Sequence, residues 1–345
     1  MGDRQSQKGG DSSVNIQGRD ISFGLSYSET RRVAMDVFQD NFYKFREEAG
    51  EIAEKRAKSF IEIFLSQASK EEFSLIPEAK NPDFQYALFS AQKEYARTGD
   101  EDLGRTLVQL LVDRTKVTDR NLMQIVLNES LAVAPKLTPD QLDALSLVFI
   151  IKYTRKTNLS HPEHLLEYLN QFVTPFVAGA SRKRSAYQHL EFAGCGTISI
   201  GKLKAEDAFR NTYPGLFSEG FTEEEVLAIE LSPEERANVI TTCLHDSSLR
   251  QVNAVDDEAL ENQCIRSGIE PDKVRMLKEL QASKAMTPNE VKNYLLNARP
   301  YMQQLFEVWE GTSMKHMTLT SVGIAIAHAN IQRKIGQTFD LSIWL

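Results

Sequence analysis

The chain has 345 residues, with 40 Lys plus Arg against 48 Asp plus Glu, a formal charge of −8, and 41% hydrophobic and 26% charged residues. That length is about two ordinary domains and excludes a stapled mini-protein, while the acidic balance argues against polyanion binding through overall charge. Glycine and proline number only 18 and 11, a shortage that favours long helices over turn-rich β architecture.

Residues 1–10 read as a disordered leader without an apolar core, so a cytoplasmic location is expected. In 12–25, Val14 and Ile16 alternate with Asn15 and Gln17, Gly18 breaks the run, and Ile21 and Phe23 resume the period of two. One or two short strands are predicted there. From Glu29 to about Ser69, Val33, Val37, Phe38, Phe42, Phe45, Ile52, Phe60, Ile61 and Phe64 recur mostly at three- and four-residue spacing. This predicts one long helix, or two meeting near Gly50, acting as a spine.

Shorter helices follow, with helical hairpins expected between 83 and 177. Capping boxes stand at Thr138 with Gln141, Ser160 with Glu163, Thr222 with Glu225, Ser232 with Glu235 and Thr287 with Glu290. Pro139, Pro233 and Pro288 occupy first helical positions, where a missing N–H costs nothing. The longest nearly apolar stretch, 145–151, is far shorter than the roughly 18 residues of a membrane span, so no membrane contact is expected. Six glycines crowd into 179–220, marking a domain boundary near 190 and a short strand over 197–200. Residues 318–334 read as a strand running into a helix. Phe339, Leu341, Ile343 and Leu345 then alternate as a terminal strand, expected to pair with 12–25 in its own chain or a neighbour's. The expected fold is mainly α: a long-helix spine with packed helical hairpins, plus a small β element formed by the N- and C-terminal strands. The expected divisions are a leader and oligomerisation strand (1–28), an N-terminal helical domain (29–190) and a C-terminal α-rich domain (191–345).

Cys195, Cys243 and Cys264 show no C-x-x-C spacing and read as free thiols of a reducing compartment. His161 with His164, and Cys243 with His245 and Asp246, do not complete a ligand set, so no metal or cofactor is expected. Charge is segregated: 222–263 holds eleven acids against Arg236 and Arg250, while 152–184 holds Lys152, Arg155, Lys156, Arg182, Lys183 and Arg184 against two glutamates. Those six cations are candidates for phosphate or nucleic-acid contact, the alternative being that the two segments meet each other. Arg184 and His189 form R-x-x-x-x-H, which resembles the motif of the higher-eukaryote-and-prokaryote nucleotide-binding ribonucleases. That resemblance implies an arginine orienting a phosphate and a histidine handling the proton without a metal. The polar residue after the family's arginine is here Ser185, in place of the commoner Asn or Asp.

The start QKGGDSSVNIQGRDI resembles a leader found on uncharacterised bacterial proteins, several of them in phage-defence or abortive-infection neighbourhoods. YPGLFSEGF (213–221) and LTSVGIAIAHANIQRKIGQTFDLSIWL (319–345) are similar to parts of one such family. The resemblance implies a bacterial cytoplasmic context and supplies no catalytic residue. The expected function is therefore an assembly and interaction protein, a homo-oligomer able to bind a protein partner. Its oligomerisation candidates are Val14, Ile16, Ile21, Phe23, Phe339, Leu341, Ile343 and Trp344. The alternative is a metal-independent ribonuclease using Arg184 and His189.

Overall fold

The computed structural model describes residues 27–70, 81–157, 159–337 and 339–345. The strand expected over 12–25, with Val14, Ile16, Ile21 and Phe23, lies outside the described residues. The chain divides into two compact units, 1–55 and 56–345. In the first, the described residues belong to α1 (Tyr27–Lys70), 44 residues long. Gly50 does not interrupt it, and the side chains of 46–52 face solvent.

From Arg56 onward α1 buries Phe60, Phe64 and Ala68 at successive turns, the predicted spacing at work. It is followed by α2 (Pro82–Thr98), α3 (Glu101–Thr115), α4 (Leu122–Val133) and α5 (Pro139–Tyr153). Asn81, Asp100 and Asn121 start α2, α3 and α4 by accepting backbone N–H bonds from Asp83, Leu103 and Gln124. Then come α6 (Pro162–Phe172), α7 (Thr174–Val177), α8 (Arg184–Phe192), α9 (Ala205–Thr212), α10 (Glu223–Leu227) and α11 (Pro233–Val239). The last are α12 (Asp257–Arg266), α13 (Pro271–Ser283), α14 (Pro288–Ala298), α15 (Tyr301–Gly311) and α16 (Ser321–Ile335). The boxes at Thr222, Ser232 and Thr287 form reciprocally, and Thr138 N–H donates to Gln141 Oε1 at 3.0 Å. The start expected at Ser160 falls one residue later. His161 is the cap of α6, because Pro162 suits the first helical position.

α5 and α16 form the centre of the second unit. α5 is buried at every position from Gln141 to Ile151, and α16 from Gly323 to Gln332. A helix apolar all round must be enclosed, and α16 packs on α5, α3 and α4. Arg114, with 0% exposure, joins three helices. Its Nη2 meets Asp83 Oδ2 at 2.6 Å, its Nε donates to Asn128 Oδ1 at 3.2 Å, and its Nη1 donates to the Val117 carbonyl at 2.7 Å.

Strands are few. β1 (Gly196–Ile198) pairs antiparallel with the last one, β4 (Met317–Leu319), placing Thr197 opposite Thr318; the hairpin between them in sequence pairs β2 (Ile240–Thr242) with β3 (Arg250–Val252). One main core contains residues from Phe60 to Leu341, so it crosses residue 190, where a boundary is expected. A smaller core gathers Phe221, Val226, Val239, Leu260 and Leu277. No described helix is long and apolar enough to cross a membrane.

The ending corrects the strand expected over 339–345. It carries a 3₁₀ turn at Leu341–Ile343, and the Asp340 carboxylate accepts the Ser342 N–H at 2.9 Å. Such short side-chain bonds compete with a sheet ladder. Leu341 enters the core. Trp344 Nε1 donates to the Tyr153 carbonyl at 2.7 Å, and its ring stands 5.0 Å from that of Phe149. The alternating pattern thus serves ring packing on α5 and not strand pairing. The small β element comes instead from β1 with β4 and β2 with β3.

Candidate binding cleft at the end of α5

α5 ends where Thr154 turns extended, its hydroxyl donating back to the Ile150 carbonyl at 2.7 Å. Beyond this stop lies a cavity of about 840 Å³. Lys152 and Arg155 form one wall, Asp256 and Glu258 another, and Ile343 and Trp344 of the tail a third. Asn211, Thr212 and Pro214 line it as well, so four separate parts of the chain meet at one helix end.

Lys152 behaves as a structural donor. Its Nζ donates to the carbonyls of Lys315 and Met317 at 3.1 and 2.9 Å and lies 5.6 Å from the Trp309 ring centroid. These bonds tie α5 to β4. Burial without a carboxylate partner pushes its pKa down to about 8.

Arg155 shows what the charge segregation does. Its guanidinium meets Asp256 Oδ2 at 3.0 Å and also Glu258, so at this point the basic segment engages the acidic one. Asp256 has a second task, capping α12 by accepting the Ala259 N–H at 2.8 Å. Lys156 is exposed, and its N–H donates to the Tyr213 hydroxyl at 2.8 Å. Burial pushes the Tyr213 phenol up.

The other cations lie elsewhere. Ser181 N–H donates to the Asp140 carbonyl at the opposite end of α5, about 18 Å from Lys152 at 1.5 Å per residue. Arg182 reaches Glu307 at 3.9 Å, Lys183 stands at the residue before α8 without a side-chain bond to it, and Arg184 is exposed. The six candidates thus form two groups, not one patch. Arg184 and His189 share α8, but five residues on a helix turn through about 140° beyond a full circle, so the two side chains diverge. His189 Nδ1 faces the Gln141 amide at 3.1 Å, and that amide also donates to the Ala186 carbonyl at 2.7 Å.

Of the tail candidates, Leu341 is in the core, Phe339 and Trp344 are half-buried, and Ile343 is 70% exposed at the cleft. Asp256, which lines the site, and the buried Tyr213, which holds the Lys156 N–H beside it, were not singled out by the sequence. Tyr213 sits in the quoted YPGLF stretch, and Asp256 opens the D-D-E run, so a residue-level signal existed for both.

The fold and cleft define a mainly α protein with, among the described residues, two small antiparallel sheets, and a cleft of mixed charged and apolar lining closed on one side by the last residues. A family model described as ":-like" matches residues 24–345, and the chain belongs to that family. No curated protein and no solved structure matches it.

Proposed function

We propose that this is a bacterial cytoplasmic interaction protein that works by self-assembly and partner binding in phage defence of the abortive-infection type. The observation that carries the reading is Ile343, a large apolar side chain 70% exposed on a tail that is otherwise anchored, beside a cavity lined by charges of both signs. An isolated exposed isoleucine is ordinary. One held at the mouth of a cleft with charged walls supplies an apolar anchor with a charged rim, the anatomy of a protein interface. The occupant proposed is a second copy of the chain. The defence context rests on the resemblance of the leader and of the ending, the latter lying within the family match.

Light scattering on the full chain tests the assembly. Ile343→Asp, and separately removal of residues 1–25, should each lower the measured mass, and protection against phage in a plaque assay should fall with it. A monomeric parent, or a mass unchanged by both alterations, overturns the reading. The ribonuclease alternative has less support because Arg184 and His189 diverge around α8. RNA cleavage by the parent that is lost in Arg184→Ala with His189→Ala would restore it.

A further inference from the structure

A second pocket, of about 290 Å³, opens between α1, α3 and α16. Ile63 and Gln67 come from α1, Arg105 and Gln109 from α3, and Gln332 and Arg333 from α16. A junction of three packed helices is ordinarily apolar, yet here each helix supplies a glutamine. Gln109 and Gln332 are only 5% and 4% exposed. Gln67 Nε2 donates to Gln109 Oε1 at 3.5 Å, and Gln332 Nε2 donates to the Phe339 carbonyl at 3.4 Å. Among the described residues, Gln109 Nε2 and Gln332 Oε1 have no hydrogen-bond partner. Buried amide atoms are rarely left so, because an unmade bond there forfeits the hydration given up on folding. One orphan is a donor and the other an acceptor.

The cations complete the pattern. Arg105 stands one turn before Gln109 on α3, is exposed, and has no carboxylate partner among the described residues. Arg333 is already held, by Asn330 Oδ1 at 2.8 Å and by Asp102. The pocket therefore combines one uncommitted guanidinium with a matched amide donor and acceptor. A guanidinium favours the planar, bidentate geometry of a phosphate. A hydroxyl group donates and accepts at once, which suits the two orphaned amide atoms together.

We propose that this pocket binds a sugar phosphate, with Arg105 on the phosphate and the amides of Gln109 and Gln332 on hydroxyls of the sugar. Its volume lies near the low end of ligand pockets, which fits a compact ligand of that class. The proposal is independent of the assembly reading and gives the protein a small-molecule input.

Titration calorimetry of the full chain at low salt tests it, with ribose 5-phosphate and glucose 6-phosphate as probes and orthophosphate and ribose as controls. At least one sugar phosphate should bind about tenfold or more tightly than orthophosphate, and ribose should give no heat. Arg105→Gln should weaken that binding about tenfold while leaving the melting temperature unchanged, since the side chain is exposed. Gln109→Met with Gln332→Met, checked for folding by circular dichroism, should reduce the sugar phosphate to the affinity of orthophosphate. No heat from either ester up to about 10 mM overturns the proposal. So does binding that Arg105→Gln leaves intact, or orthophosphate binding as tightly as both esters.

Discussion

His328 Nε2 donates to the Phe339 carbonyl oxygen at 2.8 Å, and the two rings meet edge to face at 4.5 Å. His328 is wholly buried on α16, with Asp113 Oδ2 3.4 Å from its other nitrogen. This contact fastens the chain's ending to the central helices. His328→Ala leaves the carbonyl with the long bond from Gln332 and opens a hole in the core. A loss of about 2–4 kcal/mol is expected in chemical denaturation. The Trp344 ring, 6.3 Å from His328, should then emit at longer wavelength as the tail loosens. Unchanged stability and emission would show that the tail is held by its other contacts alone.

The Arg114 network gives an acid-side prediction. Hydrogen bonds from Arg114, then from Asn128, hold the Asp83 carboxyl below its usual range. A carboxylate whose pKa is lowered by folding stabilises the fold above its unfolded value, near 3.8. That contribution is lost as pH falls through the folded value. Asp83→Asn should therefore reduce stability at neutral pH and flatten the loss of stability below about pH 4. Arg114→Met should cost more, about 3 kcal/mol, because it also strips the Val117 carbonyl and Asn128 of their donor. Equal acid profiles for parent and Asp83→Asn would remove this pair from the acid response.

Lys152 makes the alkaline-side prediction, with the same sign of slope. Burial lowers its pKa from 10.5 to about 8. Between those values the unfolded chain keeps a proton that the folded chain has released. Stability rises with pH wherever the unfolded state binds more protons. Relative to Lys152→Met, the parent should therefore gain stability as pH rises from 8 to 10.5. The variant should be weaker overall, by about 1–3 kcal/mol, because two carbonyls lose their donor. Parallel stability curves across that window would show that the ammonium keeps its proton throughout.

How far the fold could be read in advance follows the range of the interactions involved. The boxes at Thr222, Ser232 and Thr287 close within three residues, so their residue types announce them. β1 and β4 are legible as short apolar runs, but their pairing joins Thr197 to Thr318, and three residues carry too little pattern to name a partner. Phe339 to Leu345 misleads because alternation suits a strand and a ring-packed tail equally well. Lys152 reads as part of a basic run, whereas its position at the end of a helix buried from Gln141 to Ile151 turns its ammonium inward to carbonyls. Arg155 meeting Asp256 across about a hundred residues, and three glutamines meeting from three helices, leave no mark at all in local spacing.

Glycine supplies a sharp test of the packing. On Gly323, in the first turn of α16, an added Cβ would stand 1.8 Å from the Cys195 carbonyl oxygen. That oxygen is backbone and already accepts the Thr320 N–H at 3.1 Å, so it cannot move aside without breaking the entry to α16. Gly323→Ala should destabilise by about 1–3 kcal/mol or more despite alanine's better helix propensity. Gly50 is the control: it lies within α1, and nothing stands within 4 Å of its missing Cβ. Gly50→Ala should stabilise α1 by about 0.5–1 kcal/mol, since only the helix propensity changes. Thermal unfolding followed by circular dichroism separates the two, and a neutral Gly323→Ala would mean that α16 and the segment before β1 are not in close backbone contact.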